Sequence, residues 1–507
     1  MTTHKKLRTI IAAMTAAGIL CTMPAGFAAE ATPTAAAQPA AQTATAAPAE
    51  TTSKPFATVR VGKKWGAVAP SGSLVIPAEY DEIASYSADA VAVRQGKNWG
   101  IVRLDGTVIV PTIYKAIHPL AADTIIVQNT KDMYGAYDTA GKLLLPVEYR
   151  SVTPFYDGIS RVERKDKKFV FYRRDGSLLT NDAYLWASRF SEGLAVVEPT
   201  KNKMGYIDTN GSEAIPVQFE NAMIFQEGLA PVAVKKKWGF IDKSGTMVIQ
   251  PQFRAKSIGG FSDGLAMIKE KKHWAFIDKT GAKVIQTRYE DVDSFENGLA
   301  EVRREVKVGL LGGFLTSAVS FATGIPTFGV GTDLIGEKVK RGYIDKTGAE
   351  IISTKNDYNS FFMDGVALVR VKSKWGMVDR KGAYVVEPKY KGIHFFYDDL
   401  AAVQDGDKWG FVGRDGKIVI EPKYDEVHDF TDGIAAVRQG GKSFFIDKTG
   451  RVPFLLPNNI TDIGMFRDGF APVKIGDKWG FIDKTGTVVI PPAYTEVRTH
   501  QVTTDSL

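Results

Sequence analysis

A tryptophan-glycine pair returns about every 35 residues along this chain, each time just ahead of a turn. It is complete at Trp65-Gly66, Trp99-Gly100, Trp238-Gly239, Trp375-Gly376, Trp409-Gly410 and Trp479-Gly480. Seven residues after each tryptophan slot stands a glycine: Gly72, Gly106, Gly141, Gly176, Gly211, Gly245, Gly281, Gly348, Gly382, Gly416, Gly450 and Gly486. The steps between them are 34 to 36 residues, with one of 67, which marks out twelve units and one interruption. A fixed period of this length restricts the chain to a repeat architecture, in which each unit buries its apolar surface against its neighbours. It also spreads one chemistry over many equivalent places, whereas an active site needs one unequal place.

Each unit carries three strand signals. In one unit, strand A is Gly228-Leu229-Ala230-Pro231-Val232-Ala233-Val234, strand B is Trp238 to Asp242, and strand C begins at Thr246 and closes on Pro251 and Phe253. Short apolar runs broken by turn residues indicate an all-β chain. The B–C connection is an Asp-x-x-Gly turn, as in Asp447-Lys448-Thr449-Gly450 and Asp483-Lys484-Thr485-Gly486. Aspartate starts a type I turn by bonding back to the backbone, and glycine takes the left-handed position after it. Calcium loops need denser alternating carboxylates, so the turn reading is preferred.

Alternate strand residues face opposite sides of a sheet, and here both sides are apolar: Trp238 and Phe240 on one, Ile241 beside Gly239 on the other. Each small sheet is therefore expected to be covered on both faces by its neighbours. The tryptophans Trp65, Trp99, Trp238, Trp274, Trp375, Trp409 and Trp479 are expected to be buried as the repeat core. The fold expected is a tandem array of about twelve three-stranded antiparallel meanders in an open, propeller-like superhelix, with one or two closed β-propellers as the alternative. The open form is preferred because the units start and end in phase, with no split unit to sew the termini together. Twelve units also exceed the four to eight blades usual in a propeller.

Residues 1–28 read as a signal peptide, with Lys5, Lys6 and Arg8, an apolar run from Thr9 to Met23, and small residues at Gly26-Phe27-Ala28. The run is too short to span a membrane comfortably. The only cysteine, Cys21, falls inside it behind Leu20, a poor context for lipid attachment. The mature chain then has no disulfide and no thiolate metal site. Residues 29–55 form an Ala/Thr/Pro-rich linker expected to be disordered. Residues 56–497 hold the repeats and 498–507 are a tail. Without the three signal charges the chain has 61 basic and 57 acidic residues, a net of +4, too mild for nucleic-acid binding.

The long step holds an insert at about residues 305–338, at an A–B hairpin tip. Val308 to Thr332 has no charge and six glycines, with Leu310, Leu311, Phe314, Leu315 and Phe321 as candidate contact residues for a membrane or partner. Lysines gather at other A–B tips: Lys63-Lys64, Lys165 with Lys167-Lys168, Lys235-Lys236-Lys237 and Lys271-Lys272. Such an edge discourages aggregation, and it also suits anionic cell-wall polymer or lipid headgroups. The carboxylate pairs Asp81-Glu82, Glu290-Asp291 and Asp425-Glu426 share one repeated slot and read as surface. His118, His273, His394 and His428 read as occupying different slots, without metal spacing. Asn181-Asp182-Ala183-Tyr184, near Trp186, departs from the usual strand C ending.

The phrases Lys478-Trp479-Gly480-Phe481-Ile482-Asp483-Lys484-Thr485-Gly486, Val489 to Tyr494, and Phe430 to Val437 resemble the bacterial WG repeat family, also called KWG repeats. The resemblance covers residues 56–497 apart from the insert. It implies a β-rich array, often exported, that serves interaction and has no catalytic residues to carry over. The function expected is an exported, non-catalytic scaffold for a protein partner in the periplasm, at the cell surface or outside the cell, with no cofactor or metal. A cell-wall or glycan-binding module is the alternative, and an enzyme with a site built from unlike units is the third reading.

Overall fold

The computed structural model describes residues 57–305 and 339–499. The signal segment, the linker, the insert with its five candidate contact residues, and residues 500–507 lie outside the described residues. Those described contain strands and turns and no helix. They form twelve small antiparallel sheets, ten of four strands and two of three, arranged in a ring.

The A–B–C meander expected from the sequence gains a leading strand, hydrogen-bonded to the free side of strand A. In unit 2 this is Glu82–Ser87, ahead of Ala90–Gln95, Asn98–Arg103 and Val108–Tyr114. In most units strand C runs almost directly into the leading strand of the next. One residue separates them at Asp81, Lys115, Arg150, Glu220, Lys391, Asp425 and Thr495. The backbone N–H of each of these residues donates to strand A of the following unit, as Asp81 does to Arg94 and Asp425 to Arg438, both at 2.8 Å. The hydrogen-bond ladder thus passes from sheet to sheet along a single bent strand.

The same device closes the ring, which corrects the open, in-phase arrangement favoured by the sequence. After the last strand C, Glu496–Thr499 becomes the leading strand of unit 1 and pairs with Ala57–Val61, Arg60 opposite Glu496 and Val59 opposite Val497. An Arg60–Glu496 ion pair at 3.0 Å and a bond from Thr495 N–H to the Arg60 carbonyl reinforce it. Starting the repeat at strand A hides this strand, because the split unit is visible only once the leading strand is assigned.

The core lies between the sheets. Twelve apolar clusters sit one at each junction, including the closing one, where Phe481, Ile490 and Tyr494 meet Ala57, Val59 and Val68. A single four-stranded sheet of this size is marginal in water, and sandwiching it between two neighbours supplies the missing burial.

Two hydrogen-bond patterns lock the turns. In the B–C turns the aspartate carboxylate accepts from its own loop: Asp483 takes the Thr485 hydroxyl at 2.6 Å and N–H at 2.9 Å, and the Thr487 N–H at 3.1 Å. Between units, an acidic residue in the leading-strand turn accepts the N–H of the next unit's turn glycine. Asp263 takes Gly298, Asp398 takes Gly433 and Asp432 takes Gly469, at 2.6 to 2.7 Å.

Two predictions follow from this geometry. Truncation after Thr495 removes the leading strand of unit 1. It should lower the melting temperature and enlarge the radius of gyration measured by small-angle scattering. The turn hydroxyls and N–H groups hold Asp242, Asp278, Asp345, Asp447 and Asp483 below the ordinary aspartate range. With folded values below unfolded ones, their contribution is complete above about pH 4 and is lost as pH falls through the folded values. Calorimetry should show the melting temperature dropping below about pH 4. Asp447→Ala should shrink that drop.

Candidate binding surface

The slots of Trp65, Trp99, Trp238, Trp375, Trp409 and Trp479 are each built by three strands. Strand A places the residue opposite the ring and strand C places an aromatic on its other side. Trp65 pairs with Arg60 and Tyr80, Trp99 with Arg94 and Tyr114, and Trp375 with Arg370 and Tyr390. The basic side chain lies over the indole: the guanidinium of Arg370 is 5.4 Å from the Trp375 ring and the Lys269 ammonium 4.7 Å from Trp274. Cation–π attraction and the long apolar stems of Arg and Lys roof the rings. Trp65, Trp274 and Trp375 are buried, whereas Trp99, Trp238, Trp409 and Trp479 are partly buried; none of the seven is exposed. Full burial, expected for all, fails for four, and the roof does not decide which: Trp238 and Trp409 face Ala233 and Gln404, whereas Trp99 and Trp479 have a basic cover. A basic residue five positions before the tryptophan was the sequence signal for this arrangement.

The glycine that follows six of the seven tryptophans answers to its own sheet; Ala275 follows Trp274. Five residues of strand C, Ile420 to Tyr424, lie opposite three of strand B, Trp409 to Phe411. The extra residues cross directly over Gly410, where an added Cβ would meet the Ile420 carbonyl oxygen at 2.4 Å. Proline fits this bulge because it needs no ladder N–H there.

The A–B hairpin tips project to one side of the ring. Lys63, Lys165, Lys167, Lys168, Lys235, Lys236, Lys271 and Lys272 are all exposed there. Several occupy left-handed backbone: Lys167 has φ +65°, Lys235 +50°, Lys236 +62° and Lys271 +54°. Units 1, 2 and 10 put Gly62, Gly96 and Gly406 at the corresponding bend. Left-handed lysine is disfavoured relative to glycine. Part of this edge is neutralised from the unit junctions, by Lys64–Asp81 at 2.7 Å and by Lys408–Asp425. Asp81-Glu82 and Asp425-Glu426 are thus the junction residues themselves.

The histidine reading is corrected by the leading strands. His118, His394 and His428 share one slot, two residues before Leu120, Phe396 and Phe430. Each also lies four residues after a strand C tyrosine, Tyr114, Tyr390 or Tyr424; His394 and His428 are 34 residues apart. His273 alone stands elsewhere, in strand B. Nδ1 of His394 is 2.8 Å from Oδ1 of Asp429 in the next unit, and its ring lies 5.0 Å from Trp409. His428 reaches solvent yet is crowded by protein, and this desolvation lowers its pKa although Asp429, Asp462 and Glu426 oppose the shift. Among the described residues, no group of three or more His, Cys, Asp or Glu converges as a metal site.

Units 4 and 11 have no regular strand C. In unit 4, isolated bridges Tyr172–Leu178 and Phe169–Tyr184 replace it, so the Asn181–Tyr184 departure is a lost strand. A small cleft of about 270 Å³ lies beside it, lined by Asp182, Tyr184, Val197 and Glu213.

Ten stretches of the chain match the family model described as WG containing repeat: residues 65–99, 134–169, 204–238, 238–272, 274–305, 342–375, 375–409, 409–442, 444–479 and 479–499. No curated protein matches the chain. Among solved structures, one described as a eukaryotic initiation factor is similar over 88% of this chain and 97% of its own, at 11% identity and a TM-score of 0.33. PorZ of Porphyromonas gingivalis, a surface component of the type-IX secretion system, is similar over 86% and 80%, at 10% identity and 0.24. BamB from Moraxella catarrhalis is similar over 66% and 91%, at 12% identity and 0.25. Likeness at this level bears on neither ligand nor partner.

Trp375→Ala, which empties a buried and roofed slot, should cost about 3–5 kcal/mol in denaturant unfolding, and Trp409→Ala measurably less. Gly410→Ala should cost about 1–3 kcal/mol, because the obstacle is backbone.

Proposed function

The chain belongs to the WG-containing-repeat family, and on that premise we propose that it is an exported, non-catalytic scaffold that binds an acidic protein partner at the cell envelope. The observation that carries this reading is the lysine set at the hairpin tips. Lys235 and Lys236 hold left-handed conformations at one tip that glycine adopts at less strain. Strain of this kind, of order 1 kcal/mol or more per residue, is found where a side chain is needed for function. Repeated on several units, the tips make a broad basic surface, suited to electrostatic steering of an acidic partner. Export rests on the basic start, the short apolar run and the small residues of 1–28.

The tryptophans do not favour the glycan alternative, since none of the seven slots exposes its ring. Anionic wall polymer or lipid headgroups are the competing occupants of the lysine edge. The insert adds an apolar contact in this reading. Its hairpin is already closed where Glu305 pairs with Val339.

Three measurements test the proposal. Chain recovered from the envelope or medium should begin at Ala29. Chemical crosslinking in whole cells should give a discrete protein adduct that Lys235→Glu with Lys236→Glu abolishes. An unchanged adduct, or vesicle or wall-polymer binding by the purified chain that the double variant removes, would refute the protein partner. Deleting residues 306–338 should leave the melting curve unchanged and weaken the adduct.

A further inference from the structure

The leading strands of units 9 and 10 place aromatic side chains on a bulge that unit 7 also makes but fills with Gly259 and Gly260. Tyr358–Met363 and Gly392–Tyr397 each carry a β-bulge against strand A. In unit 10, Ile393 pairs with Val403 and Phe396 with Ala401, so His394 and Phe395 together oppose the single residue Ala402. In unit 9, Asn359 pairs with Val369 and Phe362 with Ala367, so Ser360 and Phe361 oppose Leu368. A bulge breaks the alternation of side chains, re-aims them and recurs beside binding sites.

The re-aimed side chains form one strip across three units. Phe361 stacks on Phe395, centroids 6.0 Å apart and planes at 25°. Core pairs here meet edge-on, as Phe411 does Phe430 at 67° and Phe276 does Phe295 at 64°. Phe361 is 55% exposed, so one aromatic face is given to solvent with no packing role. Next to Phe395 stands His394, fixed by Asp429 of unit 11 and by Trp409. At Phe361's slot other units carry Ser85, Ile224, Gly260 and Ser294, so the strip is particular to this arc.

We propose that Phe361, Phe395, His394 and Asp429 bind a neutral hexopyranose unit of an oligo- or polysaccharide, a second binding site independent of the lysine edge. The C–H face of a pyranose is apolar and broad enough to lie on a stacked ring pair. Its equatorial hydroxyls need donors and acceptors at the border. The carboxylate of Asp429 accepts and the imidazole of His394 does either, according to tautomer. The aromatic floor supplies contact area at small entropic loss. Charge selects among sugars: Asp429, Asp462 and Glu426 gather around His428 and disfavour uronic acids and sulfated sugars, while Asp399 of the adjoining turn is already paired with Arg414 and Lys448.

Titration calorimetry of the purified mature chain with cellohexaose, maltohexaose and chitohexaose tests this. At least one should bind with a Kd of about 1 mM or tighter. Phe361→Ala and Asp429→Asn, with wild-type melting curves, should each weaken it by about tenfold or more. Tyr384→Ala, which removes an exposed ring on strand C of unit 9, should leave it unchanged. The proposal is overturned if none of the three sugars binds, if both strip variants bind as the wild type does, or if a proline-rich peptide binds at Phe361 and the sugars do not.

Discussion

The structure depends on one steric event repeated in nine of the twelve units, the exceptions carrying Val170, Ala275 and Phe444 in the glycine slot: strand C must cross its own strand B to reach the next sheet. At the crossing there is no room for a Cβ. An added one would approach the carbonyl oxygen of strand C at 2.4 Å at Gly239, 2.5 Å at Gly66 and Gly480, and 2.6 Å at Gly100. The obstacle is backbone, so the neighbouring chain cannot yield as a side chain would. Glycine after tryptophan therefore buys the bend on which the junction, and through it the ring, is built. Close approach between neighbouring sheets belongs instead to the B–C turn glycines, such as Gly245 over Ile215.

The tryptophan follows from the same crossing. Bulging strand C away and returning it at Tyr424 leaves a wide gap beside strand B, flanked by an aromatic on one side and strand A on the other. An indole fills that gap. Where strand A offers Arg or Lys at the paired position, the cation completes the enclosure, as Arg60 and Arg498 do together over Trp65. Arg498 comes from the closing strand, so the first slot is finished only when the ring is closed.

The period, the three strands of each meander and the Asp-x-x-Gly turns were legible because each rests on local chemistry: apolar alternation, a carboxylate that caps its own loop, a left-handed glycine. The leading strand was not, since in units 3, 4, 5, 6, 8 and 11 it is two residues long and shows no alternation. Missing it concealed the closure through Glu496–Thr499. The stacked Phe361 and Phe395 were hidden for a related reason. Adjacent phenylalanines read as opposite faces of a regular strand, and a bulge that puts a neighbour on the same side leaves no mark in composition.

Equivalence and function pull in different directions in such a ring. Junctions that reuse one crossing in nine units, and an indole in seven, give stability without singling out any position. Recognition then has to come from where units differ: the lysines forced into left-handed tips, the two units without strand C, and the strip on units 9 to 11. There a stacked ring pair, an imidazole and a carboxylate meet from three successive units. No single unit contains that set, so the site exists only because the closed array holds neighbouring leading strands in register. Scaffold and recognition are in this sense one arrangement, with the conserved crossing fixing the spacing that the exceptional side chains use.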